Sequence, residues 1–317
     1  MASNPLQALL DARGTVVLDG ALATELERRG ADLDDPLWSA RLLIDEPERI
    51  REVHREYFAA GADIATTASY QATFAGFARR GLDAQSAACL LRLSVQLARE
   101  ARDEFLAAVG PRDAVPLVAA SCGCYGAALH DGSEYRGDYG LSRQQLSDFH
   151  RPRLESLLES EPDLLAFETI PCLIEAEAIV RLLENYPHVS AWLSFSCRDE
   201  RHVCHGERLH ECLVVAESAP QVTAAGINCT PPRFVNALLE SLAGHACKPL
   251  IVYPNRGESW DAPHRRWLPG PAMPGDWGQA ARQWRARGAR IIGGCCRTTP
   301  ADIRALRLAM EAGSFDV

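Results

Sequence analysis

The sequence predicts an α/β fold of the (β/α)8 barrel type, spanning residues 1–317 as one domain, and three observations carry that expectation. Apolar runs rich in Val, Ile and Ala recur eight times, at 15–20, 62–69, 116–122, 164–169, 189–196, 222–230, 249–255 and 289–296. Segments of helical periodicity separate them, among them 46–60, 84–108, 142–159, 174–185, 232–243 and 279–288. Runs that are apolar on both faces and followed by helices imply a parallel sheet covered by helices, and eight such units suit a closed barrel of this length. The third observation is where the polar residues fall. A GxGxxG turn after the first run is absent, which weakens a dinucleotide-binding alternative.

Taken in order, the C-terminal ends of the runs carry Asp19, then Thr67 with Ser69, Cys122, Glu168, Ser194 with Ser196, Cys229, Asn255, and Cys295 with Cys296. Active sites of such barrels lie at those ends, so the clustering reads as a site. Two connections are too long for plain loops, 123–141 after the third run and 256–278 after the seventh. The first is rich in Gly, Tyr and acidic residues; the second holds Trp260, Trp267 and Trp277. Both are expected over the barrel mouth as candidate lids.

The bulk composition narrows the function classes. Apolar content of 47% indicates a well-cored globular chain, and a net charge of −9 argues against a nucleic-acid partner. No run of eighteen apolar residues is present, so no membrane span is expected, and the N-terminus lacks the pattern of a signal peptide. Eleven cysteines in a chain this long suit a reducing, cytoplasmic setting where they serve as core residues, ligands or nucleophiles.

The most specific signal is the run ARIIGGCCRTTP at 289–300. Adjacent cysteines strain a mutual disulfide but turn two thiolates toward one point at a strand end. The run VTAAGINC at 222–229 brings a third cysteine to the end of another strand. Cys229, Cys295 and Cys296 therefore read as a three-sulfur zinc site with its fourth position open. Three thiolates leave the centre anionic, a poor activator of water but one that deprotonates an incoming thiol. His202, Cys204, His205, His210 and Cys212 are also dense, but without regular spacing, and read as a solvated loop. Cys122 and Cys124 read as small packing residues near the mouth.

The segments LDGALATELERRGADL (18–33), LWSARLL (37–43), TASYQATFAGFARRG (67–81), DGSEYRGDY (131–139), HRPRLE (150–155), ETIP (168–171), GINC (226–229), VYPNRGE (252–258) and IGGCCRTTPADI (292–303) together resemble the homocysteine S-methyltransferase family, most of all its S-methylmethionine-dependent branch. The resemblance implies a zinc-dependent barrel that moves a methyl group from a sulfonium donor to homocysteine, giving methionine, with Cys229, Cys295 and Cys296 as ligands of one Zn²⁺. It implies that Glu168 binds the homocysteine amino group with Asp19 as its companion. Gly20, Ala21, Thr67 and Ser69 are candidates for the carboxylate, and Asn255 and Glu258 for the donor side. S-adenosylmethionine or betaine as main donor, and a non-catalytic zinc or redox barrel, are the competing readings. One departure stands out: relatives carry Gly-Pro before the Tyr-Gly at 125–126, where this chain has Gly123-Cys124.

Overall fold

The computed structural model of the chain describes residues 4–33, 35, 37–110, 112–261, 266–268, 270–271 and 276–312. Eight parallel strands make up its main sheet: β1 (Val16–Val17), β2 (Ile64–Thr66), β3 (Leu117–Gly123), β4 (Leu164–Ile170), β5 (Ala191–Phe195), β6 (Val222–Asn228), β7 (Leu250–Tyr253) and, after a short hairpin of β8 (Ser259–Asp261) and β9 (Arg266–Leu268), β10 (Ala289–Ile292). The order is β1-β10-β7-β6-β5-β4-β3-β2. A parallel bridge between Leu18 and Ile64 joins the two ends, so the sheet forms a nearly closed (β/α)8 barrel. The hairpin falls within the long connection expected at 256–278. Of the tryptophans that distinguish that segment, Trp277 opens the next helix, while 262–265, 269 and 272–275 lie outside the described residues.

A helix follows each barrel strand: Pro47–Ala60, Ala84–Val109, Arg143–Leu158, Leu173–Leu183, Leu209–Ser218, Pro232–Leu242, Trp277–Ala286 and Pro300–Ala312. Local chemistry sets several of their limits. Asp83 accepts a hydrogen bond from the Ser86 amide at 2.8 Å, and Ser142 and Gln145 form a capping box. The helix Leu209–Ser218 begins inside the stretch expected as a solvated loop. Its Leu209, Cys212, Leu213 and Ala216 recur at helical spacing and are buried, so apolar periodicity outweighs the polar residues around it. The preceding residues are also tied down, by bridges between Cys197 and Val203 and between His202 and Arg208.

Side-chain parity divides the barrel into two apolar layers. Inward-facing residues such as Leu18, Ile64, Leu117, Ala119, Leu164, Ala166, Trp192, Ala224, Ile251 and Ile291 fill the interior. Leu6, Leu9 and Leu10 of the helix Pro5–Arg13 join that cluster beside the residues where the strands begin. Each such fully buried leucine contributes about 1.5–3 kcal/mol. Residues of opposite parity, including Val118, Leu165, Phe167, Leu193, Ile227 and Val252, pack outward against the helices. Continuing the inward parity along the strands replaces apolar residues with Ser121, Glu168, Ser194 and Tyr253. The interior therefore turns from apolar to polar toward the strand ends, which is where a ligand can enter. Among the described residues, no helix is long and apolar enough to cross a membrane.

One buried titratable group makes the fold acid-sensitive. His54, on the helix Pro47–Ala60, is fully buried, and neither ring nitrogen has a hydrogen-bond partner among the described residues. Burial pushes its pKa from 6.5 down to about 4. The unfolded chain then binds the extra proton between about pH 4 and 6.5, so stability is complete above 6.5 and falls as pH drops through that window. The expected loss by pH 4 is about 3 kcal/mol. Urea unfolding of the wild type and of His54→Leu between pH 4 and 7.5 checks this, with the variant showing the shallower pH dependence.

Candidate active site

The junction of β1 and β10 builds one wall of the site. The Leu18 amide donates to the Ile292 carbonyl at 2.9 Å, and the Gly294 amide to the Asp19 carbonyl at 3.1 Å. No side chain fits there: a Cβ on Gly293 would stand 2.5 Å from the Leu18 Cβ, and one on Gly294 would stand 2.4 Å from the Thr298 Oγ1. Thr298 ties the two turns together, donating to the Cys295 carbonyl at 2.7 Å and accepting from the Ala21 amide at 3.1 Å. The glycine pair thus brings Cys295 and Cys296 beside the Asp19-Gly20-Ala21 turn.

Cys229 reaches the same point from β6. Gly226 lies against β7, where an added Cβ would be 2.0 Å from the Ile251 carbonyl oxygen, and the Cys229 amide donates to the Tyr253 carbonyl at 3.1 Å. Asn228 and Thr169 bind each other reciprocally. The Thr169 amide donates to Asn228 Oδ1 and the Asn228 amide group donates to Thr169 Oγ1, both at 2.8 Å. This clamp fixes the neighbours of both residues, Glu168 and Cys229. Thr169 and Cys229 sit in the left-handed region at φ 60° and 46°, and Arg297, next to Cys296, at 71°. Such strained backbone concentrates at functional sites.

The sulfur atoms of Cys229, Cys295 and Cys296 all lie within 4.8 Å of one another. Cys229 and Cys296 are buried, with their sulfurs 3.6 Å apart, and the Tyr135 hydroxyl lies 3.2 Å from the Cys229 sulfur. Hydrogen bonds from Cys295, Cys296 and Tyr135 hold Cys229 well below the usual thiol range, while donating to Cys229 pushes Cys295 and Cys296 up. Three convergent soft donors of this kind fit a thiophilic divalent metal such as zinc. Among the described residues no other set of three such side chains converges. His202 pairs with Asp199, His205 with Glu207, and His210 stacks on His245.

The three cysteines line a cavity at the strand ends with Asp19, Gly20, Ala21, Thr67 and Glu168. It encloses about 950 Å³ counting the open mouth, at the upper end of small-molecule sites. Asp19 accepts from the Thr66 amide at 2.8 Å and lies 3.1 Å from the Thr66 hydroxyl. It caps no helix, since Ala21 holds the N-cap position of the next one. Glu168 accepts hydrogen bonds from Ser121 and Tyr253. The Tyr253 hydroxyl is itself held by Trp192 Nε1 at 2.9 Å and lies 2.6 Å from Ser194 Oγ. Burial pushes the Glu168 carboxyl up to about 7 and raises Asp19 well above the usual range.

The remaining sequence candidates are placed differently. Ser69 donates its hydroxyl to the Ser121 carbonyl at 2.8 Å, so the 2.6 Å contact with Thr67 uses the Thr67 proton. Thr67 also accepts from the Ser121 amide, and both hydroxyls therefore brace β2 against β3. Asn255 accepts from the Gly257 amide at 2.9 Å and Glu258 pairs with Arg297 at 3.3 Å; neither lines the cavity. Cys122 and Cys124 are buried in the outer layer, and burial raises their thiols, that of Cys122 to about 11. Sequence reading passed over Tyr135, Tyr253, Ser121, Trp38, Tyr70 and Glu134, all of which line the cavity. Parity along β3 and β7 pointed to Ser121 and Tyr253; nothing local singled out the others.

Residues 16–310 match the family model of homocysteine S-methyltransferases. The homocysteine S-methyltransferase YbgG of Bacillus subtilis (strain 168) is 52% identical over 303 residues, covering 95% of this chain and 96% of that protein. The homocysteine S-methyltransferase of Escherichia coli (strain K12) is 51% identical over 305 residues, covering 96% and 98%. The metallated form of the E. coli homocysteine methyltransferase MmuM superposes with a TM-score of 0.87 at 50% identity, covering 96% of this chain and 99% of that one. With a matching barrel, and with relatives at this identity over nearly its whole length, the chain belongs to the homocysteine S-methyltransferase family.

Proposed function

We propose that the protein transfers a methyl group from a sulfonium donor, S-methylmethionine in preference, to homocysteine, with one Zn²⁺ held by Cys229, Cys295 and Cys296. The observation that carries this reading is the convergence of three thiols on one cavity wall with two buried carboxyls, Asp19 and Glu168, on the same cavity. Bound there, zinc would keep an incoming homocysteine thiol deprotonated and its sulfur nucleophilic near neutral pH.

The chain's own residues do the rest. Asp19 and Glu168 accept the homocysteine ammonium, whose positive charge offsets the desolvation that raises both carboxyls. Tyr253 and Ser121 fix Glu168 on one side, and Thr66 fixes Asp19 on the other. The Ala21 amide is spent on Thr298, so the Gly20 side of that turn is left to face the homocysteine carboxylate. The turn Ser133–Tyr135, from the long connection after β3, brings Glu134 and Tyr135 over the cavity and limits water there. The homocysteine sulfur then attacks the donor methyl carbon. The new S–CH₃ bond forms as the donor S–CH₃ bond breaks, and its electron pair returns to the donor sulfur, leaving a neutral thioether. Opposite charges merge in that step, so a desolvated site favours it. Eleven unpaired cysteines suit a reducing cytoplasm as the setting.

Zinc-loaded protein supplied with homocysteine forms methionine faster from S-methylmethionine than from S-adenosylmethionine or betaine, and methionine from none of them would overturn the reading. Cys229→Ser and Cys296→Ser each lose bound zinc by metal analysis and at least about a hundredfold in turnover, as expected when a ligand set is broken. The apparent affinity for homocysteine improves as pH rises through about 7, because Glu168 must be ionised to pair with the ammonium. Glu168→Gln should raise the homocysteine KM about tenfold or more and remove that inflection.

A further inference from the structure

Three carboxyls line the cavity, and one of them has no evident structural task. Asp19 and Glu168 are each held by hydrogen-bond donors of the barrel. Glu134 has only its own backbone amide as a donor, and its Oε2 is buried with no partner among the described residues. Arg136, two residues on, is committed elsewhere, with its Nε 3.3 Å from Asp138 and a terminal nitrogen 2.8 Å from the Ser133 hydroxyl. No Lys or Arg among the described residues lines the cavity.

The turn that carries Glu134 is rigidly placed. Its carbonyl accepts from Ser196 Oγ at 3.3 Å, and the Ser133 amide donates to Asp131 at 2.9 Å. Gly126 packs so closely beneath it that an added Cβ would be 2.4 Å from the Glu134 nitrogen. The carboxyl is therefore kept over the cavity, where burial pushes its pKa up to about 7. A buried, half-satisfied carboxyl weakens a fold, so its retention points to a ligand that supplies the missing charge.

The homocysteine ammonium has its own pair of carboxyls, which leaves the positive charges of the donor. A carboxylate set against the sulfonium would hold the ground state more tightly than the transition state, because that charge disappears as the methyl moves. The donor's α-ammonium keeps its charge throughout. In S-methylmethionine it lies three carbons from the sulfonium. That scale suits a carboxylate whose neighbour, Tyr135, touches the Cys229 sulfur. Building on the proposed methyl transfer, we infer that Glu134 binds the α-ammonium of the methyl donor and so selects sulfonium amino acids over sulfonium compounds that lack one.

The test compares S-methylmethionine with 3-dimethylsulfoniopropionate, which carries the sulfonium but no ammonium, on zinc-loaded wild type and Glu134→Gln at pH 8. Binding is measured by calorimetry and transfer by methionine formation. Wild type should bind S-methylmethionine at least about tenfold more tightly than the analogue. The variant should bind S-methylmethionine about ten- to hundredfold more weakly, with KM raised to match, little change for the analogue or for homocysteine, and a Tm that does not fall. Glu134→Asp, which keeps the charge, should retain part of the preference. Equal losses for both donors, or none, would overturn the assignment, as would a wild type that does not distinguish them. Wild-type protein that makes no methionine from S-methylmethionine would instead sink the function proposed above.

Discussion

Everything at the mouth of this barrel depends on how closely β1 and β10 approach. The contact is possible only because Gly293 and Gly294 carry no side chain where Leu18, the Asp19 carbonyl and Thr298 already fill the space. Neither glycine needs an unusual φ; both are required for room. That single approach sets two thiols side by side, next to the Asp19-Gly20-Ala21 turn. The third thiol depends on the analogous approach of β6 to β7 at Gly226. A site made of strand ends inherits the rigidity of the sheet, whereas the same residues on free loops would have to be ordered at an entropic cost.

The second constraint is electrostatic. The cavity gathers Asp19, Glu134, Glu168 and three thiols without a lysine or arginine among its described lining residues, and burial raises all three carboxyls. Left empty of cations, such a cavity favours neutral acids. Filled with them, it favours carboxylates, and the difference is binding energy available to the ligand. The cavity is thus matched to substrates that bring positive charge, and mismatched to phosphates or polyanions. The chain's net charge of −9 works in the same direction at longer range.

The barrel was legible because its evidence is periodic and repeated: eight apolar runs with helices between them survive errors of a few residues at each boundary. The sulfur site was legible because GINC and GGCC are local signals at strand ends. Asp19 and Glu168 were found by the same rule. What escaped were residues whose position depends on how other elements fold. Tyr135 and Glu134 come from a connection whose path over the mouth is fixed by the packing of Gly126 within it and by Ser196, 62 residues away. Thr67 and Ser69 stand at the expected strand end, yet their protons go to backbone and to each other, which depends on the β2–β3 register. The helix Leu209–Ser218 was hidden by the polar residues that precede it, although its buried positions keep a helical period.

Tyr253 shows how the fold and the chemistry share one residue. Its inward parity on β7 follows from Ile251, two residues earlier, so the sheet places the ring without regard to function. Its hydroxyl then collects Trp192, Ser194 and Glu168 at the level where apolar packing ends. A phenylalanine there would fill the same space but leave the Trp192 N–H without its acceptor, and Glu168 with one donor fewer. The carboxyl would then be harder to ionise. Polar satisfaction inside the barrel and the ionisation of a cavity carboxyl are therefore one requirement, met by a single hydroxyl at the border between core and cavity.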